Sequence, residues 1–122
     1  TLSVTEILTD ENDACAGAIL VSSADSPIIG STNNALADGP ICGEEYRTDY
    51  APGVWYKLMG TGDAMSVSTC SSELNFDSSI AVYSGSCEEL ECLAYDSYSY
   101  GTCDLSFSGS ARALFRTEAG SE

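Results

Sequence analysis

The sequence predicts an all-β protein, an antiparallel β-sandwich of jelly-roll type held together by disulfide bonds. Two observations predict it. Short alternating or β-branched segments recur along the chain between Gly, Ser and Asp turns, and no stretch has the periodicity of a three-turn helix. Six cysteines occur in 122 residues, an even number that is typical of a small secreted domain with a modest core and covalent cross-links.

The order of the elements follows from local composition. Residues 1–11 hold an apolar patch and the start of an acidic run, and are predicted as an N-terminal strand or linker. Residues 12–122 then form a single domain, because a chain of this length supports one core. Residues 23–50 are rich in Ser, Asn, Asp, Gly and Pro, which predicts a long irregular connection. The predicted strands cover residues 18–22, 27–31, 54–60, 65–70, 79–83, 90–95, 105–108 and 111–117.

The formal net charge of −15 comes from 19 acidic and four basic residues. Such a chain repels polyphosphates and anionic membrane surfaces, so we expect no nucleic acid among its partners. A divalent cation, a neutral polysaccharide or a basic protein surface is easier to accommodate. No apolar run approaches the ~20 residues of a membrane helix, and no membrane insertion is predicted.

The residues needed for common catalytic sites are missing from the sequence. There is no histidine, so neither a Ser-His-Asp nor a Cys-His arrangement can be built, and mixed Cys/His zinc sites are excluded. Acidic pairs such as Glu88 with Glu89 could serve glycoside chemistry. On a strongly acidic surface such pairs are better read as solvated side chains. We therefore predict no catalytic residues and no enzyme activity.

Two kinds of side chain are candidates for a binding site. Asp77 and Asp96 provide hard oxygen ligands, which makes calcium the candidate cofactor, although Asp77 could equally cap a turn. Tyr95, Tyr98 and Tyr100 lie in a loop that also contains Ser and Gly. Their rings could stack on a sugar, anchor a protein interface or simply pack on the sheet.

Several motifs carry a resemblance to a known family. In order, the chain has Asn-Asp-Ala-Cys at 12–15, Gly-Val-Trp-Tyr-Lys-Leu at 53–58, Val-Ser-Thr-Cys at 67–70 and Phe-Asp-Ser-Ser-Ile-Ala-Val-Tyr-Ser-Gly-Ser-Cys at 76–87. This series resembles the pre-peptidase C-terminal-like modules, which are jelly-roll sandwiches of secreted multidomain proteins. The match runs from about Asn12 to the end and is most specific at residues 76–87 and 54–56.

The resemblance implies a function and a location. It implies a non-catalytic structural or adhesive module of a larger secreted or surface protein, sometimes with calcium. The alternative is a carbohydrate-binding module that targets an attached hydrolase to a polymer. Such modules often carry Asn-Asp-Asp where this chain has Tyr95-Asp96-Ser97, and they usually continue for two more strands after residue 122. We therefore expect a sandwich that lacks its last strands, with strand addition from another chain as one way to complete it.

Disulfide pairing is predicted on two grounds. The resemblance implies a bond between Cys15 and Cys42. A bond between Cys87 and Cys92 would close the short acidic loop that they flank. These two pairs leave Cys70 with Cys103.

Overall fold

The computed structural model describes residues 2–5, 11–22, 24, 28, 30–32, 35–36, 42, 53–70, 78–97 and 111–122. Within these ranges the regular structure is a 3-10 turn followed by strands. The turn is Cys15–Gly17, and the strands are β1 Ile19–Leu20, β2 Tyr56–Lys57, β3 Ala64–Ser68, β4 Ser79–Ser84, β5 Glu91–Ser97 and β6 Arg112–Arg116. They form three two-stranded sheets.

The sheet of β3 and β6 is antiparallel and has one apolar and one exposed face. Alternate residues of a strand point to opposite faces. On the inner face Met65 lies opposite Phe115 and Val67 lies opposite Ala113. Ala113 is buried and the other three are half-buried. Because apolar and polar residues alternate regularly here, both strands could be predicted from the sequence.

The hairpin of β4 and β5 is also antiparallel, with the turn between Ser84 and Glu91. A bulge between Val82 and Tyr83 shifts the register, so that Tyr83 lies opposite Cys92. The residues from Ile80 to Ser84 are all half-buried, so the hairpin is partly covered on both faces. Strand β6 lies against both strands of the hairpin.

The N-terminal segment pairs with residues 55–57 by a short parallel contact. Ile19 is in register with Tyr56 and Leu20 with Lys57. The Trp55 N–H donates to the Asn12 carbonyl at 2.7 Å, and the Val21 N–H donates to the Lys57 carbonyl at 2.9 Å. These bonds fix the entry of the chain beside β2.

A buried polar corner joins the end of β3 to the starts of β4 and β6. The Ala111 N–H donates to Thr69 Oγ1 at 2.9 Å, and the Thr69 N–H donates to the Ala111 carbonyl at 2.9 Å. Thr69 Oγ1 also lies 2.6 Å from Oγ of Ser78. Ser78 and Ala111 are buried. The corner thus satisfies backbone groups that water cannot reach.

Residues 117–121 fold back on the turn before β3. Thr117 Oγ1 accepts the N–H groups of Thr61 and Gly62, both at 3.1 Å. Gly60 exchanges backbone hydrogen bonds with Ser121 and Gly120. A Cβ on Gly60 would collide with the Glu118 carbonyl, which explains the glycine at this position.

The structure confirms a strand-rich fold with antiparallel sheets and disulfide bonds, while the jelly-roll order stays a prediction. Of the predicted strand 18–22, only Ile19–Leu20 form a strand. Of the predicted strand 54–60, only Tyr56–Lys57 form a strand. The predicted strand over 27–31 is wrong at Ile28, Gly30 and Ser31, which lie outside any strand. The predicted strand over 105–108 lies outside the described residues.

Candidate functional site

The predicted metal ligands are only partly described. Asp96 lies in β5, and its Oδ2 accepts the Arg112 N–H at 2.8 Å. Its carboxylate therefore joins the hairpin to the start of β6. Asp77 lies outside the described residues. Among the described positions, no three His, Cys, Asp or Glu side chains are grouped as a metal site would need, and calcium at Asp77 and Asp96 stays a prediction.

The predicted aromatic site changes at Tyr95. This residue lies within β5 opposite Ala81, and it is half-buried. The predicted loop does not include Tyr95, because β5 continues to Ser97, and this agrees with the predicted strand over residues 90–95. Tyr98 and Tyr100 lie outside the described residues, so their predicted role in binding is unchanged.

Trp55 packs against the hairpin. Its ring centroid lies 5.6 Å from that of Tyr83, with 30° between the ring planes. This distance falls in the range of favourable aromatic pairs. Trp55 is half-buried, whereas Tyr56 and Lys57 of β2 are both exposed. Trp55 therefore links the β1 and β2 region to β4.

The disulfide bonds correct two predicted pairs. Cys15 is bonded to Cys87 and Cys42 to Cys92, with Cα–Cα distances of 5.8 and 5.4 Å. Local proximity suggested Cys87 with Cys92, but each of these residues instead holds a remote segment. Cys42 is 1% exposed, and its Sγ lies 3.3 Å from the Ala94 carbonyl oxygen.

Of the third predicted pair, Cys70 with Cys103, the structure describes only Cys70. Cys70 is disulfide-bonded, which agrees with its prediction as a cross-linking residue. Cys103 lies outside the described residues, and the pairing of these two residues stays a prediction.

The outer face of the β3 and β6 sheet was missed by sequence reasoning. It carries two of the four basic residues of the chain, together with an exposed leucine, and it has no acidic side chain. Strand alternation could have shown this, because residues 112, 114 and 116 must share a face. We call this surface the basic face, and its residues are Ala64, Ser66, Ser68, Arg112, Leu114 and Arg116.

A second exposed feature lies at the closed end of the hairpin. Residues 85–91, here called the acidic turn, carry Glu88, Glu89 and Glu91, all exposed. The Glu89 N–H donates to the Ser86 carbonyl at 3.0 Å, and Gly85 has a φ of 100° that favours glycine. The bond from Cys87 to Cys15 fixes the turn covalently.

Comparison with known proteins assigns neither a family nor a function to the chain. No protein-family model, curated protein sequence or solved structure matches the chain. In the ranges that the structure describes, no helix has the length and apolar character to cross a membrane. The disulfides and the two exposed features are therefore the structural observations that bear on function.

Proposed function

We propose that the chain is a non-catalytic structural or adhesive module that works outside the cell as part of a larger protein or assembly. The observation that carries this proposal is the covalent attachment of two remote segments to one hairpin. Cys15 and Cys42 are joined to residues 87 and 92, which are 72 and 50 positions away in the sequence.

These cross-links suit a protein that must stay folded in an oxidising compartment. Disulfides form and persist outside the cytosol, and small secreted domains use them where the core is limited. The only buried hydrophobic residues among those described are Cys42, Ala111 and Ala113. In the chain-entropy model, loops of this length contribute about 4 kcal/mol each to the free energy of unfolding. Covalent bonds thus supply stability that a small core does not.

The exposed surface supports a binding role for such a module. Leu114 on the basic face is 64% exposed and is flanked on the strand by two arginines. Sheets that face solvent normally present polar residues. A flat surface that combines guanidinium groups with an apolar side chain suits contact with another macromolecule.

The first test compares export with cytosolic expression. We expect the chain to be folded and fully cross-linked when it is secreted into an oxidising compartment. Reduced protein from the cytosol should be unfolded or easily digested by protease. A stable, protease-resistant fold with six free thiols would contradict the extracellular proposal.

The second test separates this function from the carbohydrate-binding alternative. A glycan array with the intact chain, with calcium and with chelator, should show no selective binding. Selective binding that needs calcium and is abolished by Tyr98→Ala would favour the carbohydrate-binding module. Tyr56→Ala, which removes an exposed tyrosine of β2, is the matched control.

A further inference from the structure

We propose that the basic face of one copy of the chain binds the acidic turn of a second copy, so that copies join head to tail. In its biological meaning this inference rests on the proposed structural role. The contact itself is measurable without that role, so the two proposals can fail separately.

The basic face has the properties of an unoccupied electrostatic surface. Arg112 and Arg116 are exposed, and among the described residues neither guanidinium forms an ion pair. They are four positions apart on one strand, which separates their Cα atoms by about 13 Å. Leu114 lies between them on the same face. The surface therefore combines two cations with an apolar side chain on a rigid sheet.

The acidic turn is the complementary surface. Glu88, Glu89 and Glu91 are exposed, and in the described part of the chain none of them forms an ion pair. The turn is held by the Cys15–Cys87 bond and by the Cys42–Cys92 bond at the start of β5. Because both surfaces are preformed, little conformational entropy is lost when they meet.

The hairpin separates the acidic turn from Arg112 of the same copy. Asp96 accepts the Arg112 N–H near the open end of the hairpin, where Ile80 is its partner. The acidic turn lies at the closed end, and the five residue steps from Ile80 to Gly85 along β4 span about 17 Å. Two different surfaces that meet between copies make a heterologous contact, which propagates as a ring or an open chain.

A second copy fits the basic face better than a long anionic polymer does. The chain is strongly acidic, so a polyanion crossing the sheet would meet repulsion beyond the two arginines. A second copy carries the same net charge, but a short exposed turn brings only its own few carboxylates close to the two arginines. Charges farther apart than the screening length of about 8 Å contribute little at physiological ionic strength.

The expected association is weak, because exposed ion pairs contribute little individually. Sedimentation velocity of the intact, oxidised chain should show reversible self-association with a dissociation constant of about 0.1–1 mM. Reversing the charge of the basic face with R112E/R116E, or of the acidic turn with E88K/E89K, should weaken self-association at least about tenfold. Exposed positions allow both changes without disrupting the fold, which circular dichroism and melting would verify.

The decisive measurement is the mixture of the two variants. The reversed face of one variant matches the reversed turn of the other, and the two unchanged surfaces also match. An equimolar mixture should therefore regain association, although both variants remain acidic overall. The control variant E118K/E122K changes the charge by the same amount as E88K/E89K but keeps both surfaces. Alone, it should self-associate like the wild type. In a mixture it should leave the reversed face of R112E/R116E without a partner, so that R112E/R116E can only end a chain of copies.

Three results would overturn the proposal. The wild-type chain could sediment as a monomer at millimolar concentration. It could associate with no effect of R112E/R116E. The mixture could also fail to associate while the wild type does. Binding of a sulfated polysaccharide by a monomeric wild type, lost in R112E/R116E, would assign the face to an anionic polymer instead.

Discussion

The β4 and β5 hairpin and the β3 and β6 sheet are both antiparallel pairs, but they are stabilised differently. The hairpin joins neighbouring segments through one turn and receives a disulfide at Cys87 and another at Cys92. The other sheet joins distant segments without a cross-link between its two strands. Its register depends on the apolar inner face and on the Thr69 and Ala111 contact, across 42 residues.

The difference shows how a small domain divides its stabilising interactions. The hairpin is half-buried along β4 and serves as the covalent anchor for remote segments. The β3 and β6 sheet keeps one face in solvent, which leaves that face free for contact with another molecule. Covalent attachment of remote segments and a solvent-exposed apolar and basic face thus belong to different sheets of the same chain.

The largest expected effect comes from removing a disulfide at the hairpin. We expect C42A/C92A to lower the free energy of unfolding by about 5 kcal/mol, of which about 4 is the chain-entropy contribution. The rest arises because Cys42 is almost completely buried and its removal leaves a cavity. Urea unfolding followed by the fluorescence of the single tryptophan, Trp55, measures it.

The matched variant is C15A/C87A, which opens the longer loop at a more exposed site. Chain entropy alone ranks this loss slightly higher. We expect the opposite order because Cys42 is almost completely buried whereas Cys15 is half-buried, and Cys87 and Cys92 are both exposed. A larger loss for C15A/C87A would show that burial of Cys42 does not contribute.

The next effect tests the inner face of the β3 and β6 sheet. Phe115→Ala should cost about 2 kcal/mol, below the value for a fully buried phenylalanine, because the side chain is half-buried. Leu114→Ala on the opposite face should change stability by less than about 0.5 kcal/mol. Equal effects of these neighbouring substitutions in thermal unfolding would contradict the assignment of the two faces.

A smaller effect tests the polar corner. Thr69→Val keeps the shape of the side chain but removes the acceptor of the buried Ala111 N–H. We expect a cost of about 1.5 kcal/mol, since an unsatisfied buried donor loses its interaction with water. Thr117→Val removes exposed hydrogen bonds to Thr61 and Gly62 and should cost less than about 1 kcal/mol. Chemical denaturation of both variants gives the ranking, and a larger loss for Thr117→Val would refute it.

The smallest effect concerns charge and calcium. Because the acidic side chains repel one another, adding 0.15 M salt to a low-salt buffer should raise Tm by about 3 °C. At matched ionic strength, calcium should raise Tm further only through the predicted site at Asp77 and Asp96. Asp96→Asn would abolish that extra rise. Identical melting with calcium and with chelator would remove the metal from the account.

Local patterns predicted most of the described strands. Four predicted strands agree with β3 to β6 within two residues at every end: 65–70, 79–83, 90–95 and 111–117. Alternation and turn residues act over a few positions, so one sequence suffices to detect them. Residues 14–21 mixed alanines with a β-branched end, and the structure forms first a 3-10 turn and then a strand there.

Contacts between distant segments could not be predicted in the same way. The two wrong disulfide pairs joined cysteines by local proximity or by resemblance, whereas packing on the hairpin decides the true partners. The role of Asp96 as an acceptor for Arg112 also depends on a contact across 16 positions. Strand alternation in β6 could have predicted that residues 112, 114 and 116 share a face. The sequence did not show that this face is the exposed one.

The order of the cross-links along the chain has a consequence for biogenesis. The Cys15–Cys87 and Cys42–Cys92 bonds use only cysteines that come before residue 93, whereas β6 begins at Arg112. In the proposed export from the amino terminus, the oxidoreductases of the compartment could therefore close both loops before β6 emerges. Arg112 and Arg116, the arginines of the proposed contact, would then be displayed only on chains whose hairpin already holds both remote segments, because they emerge with β6.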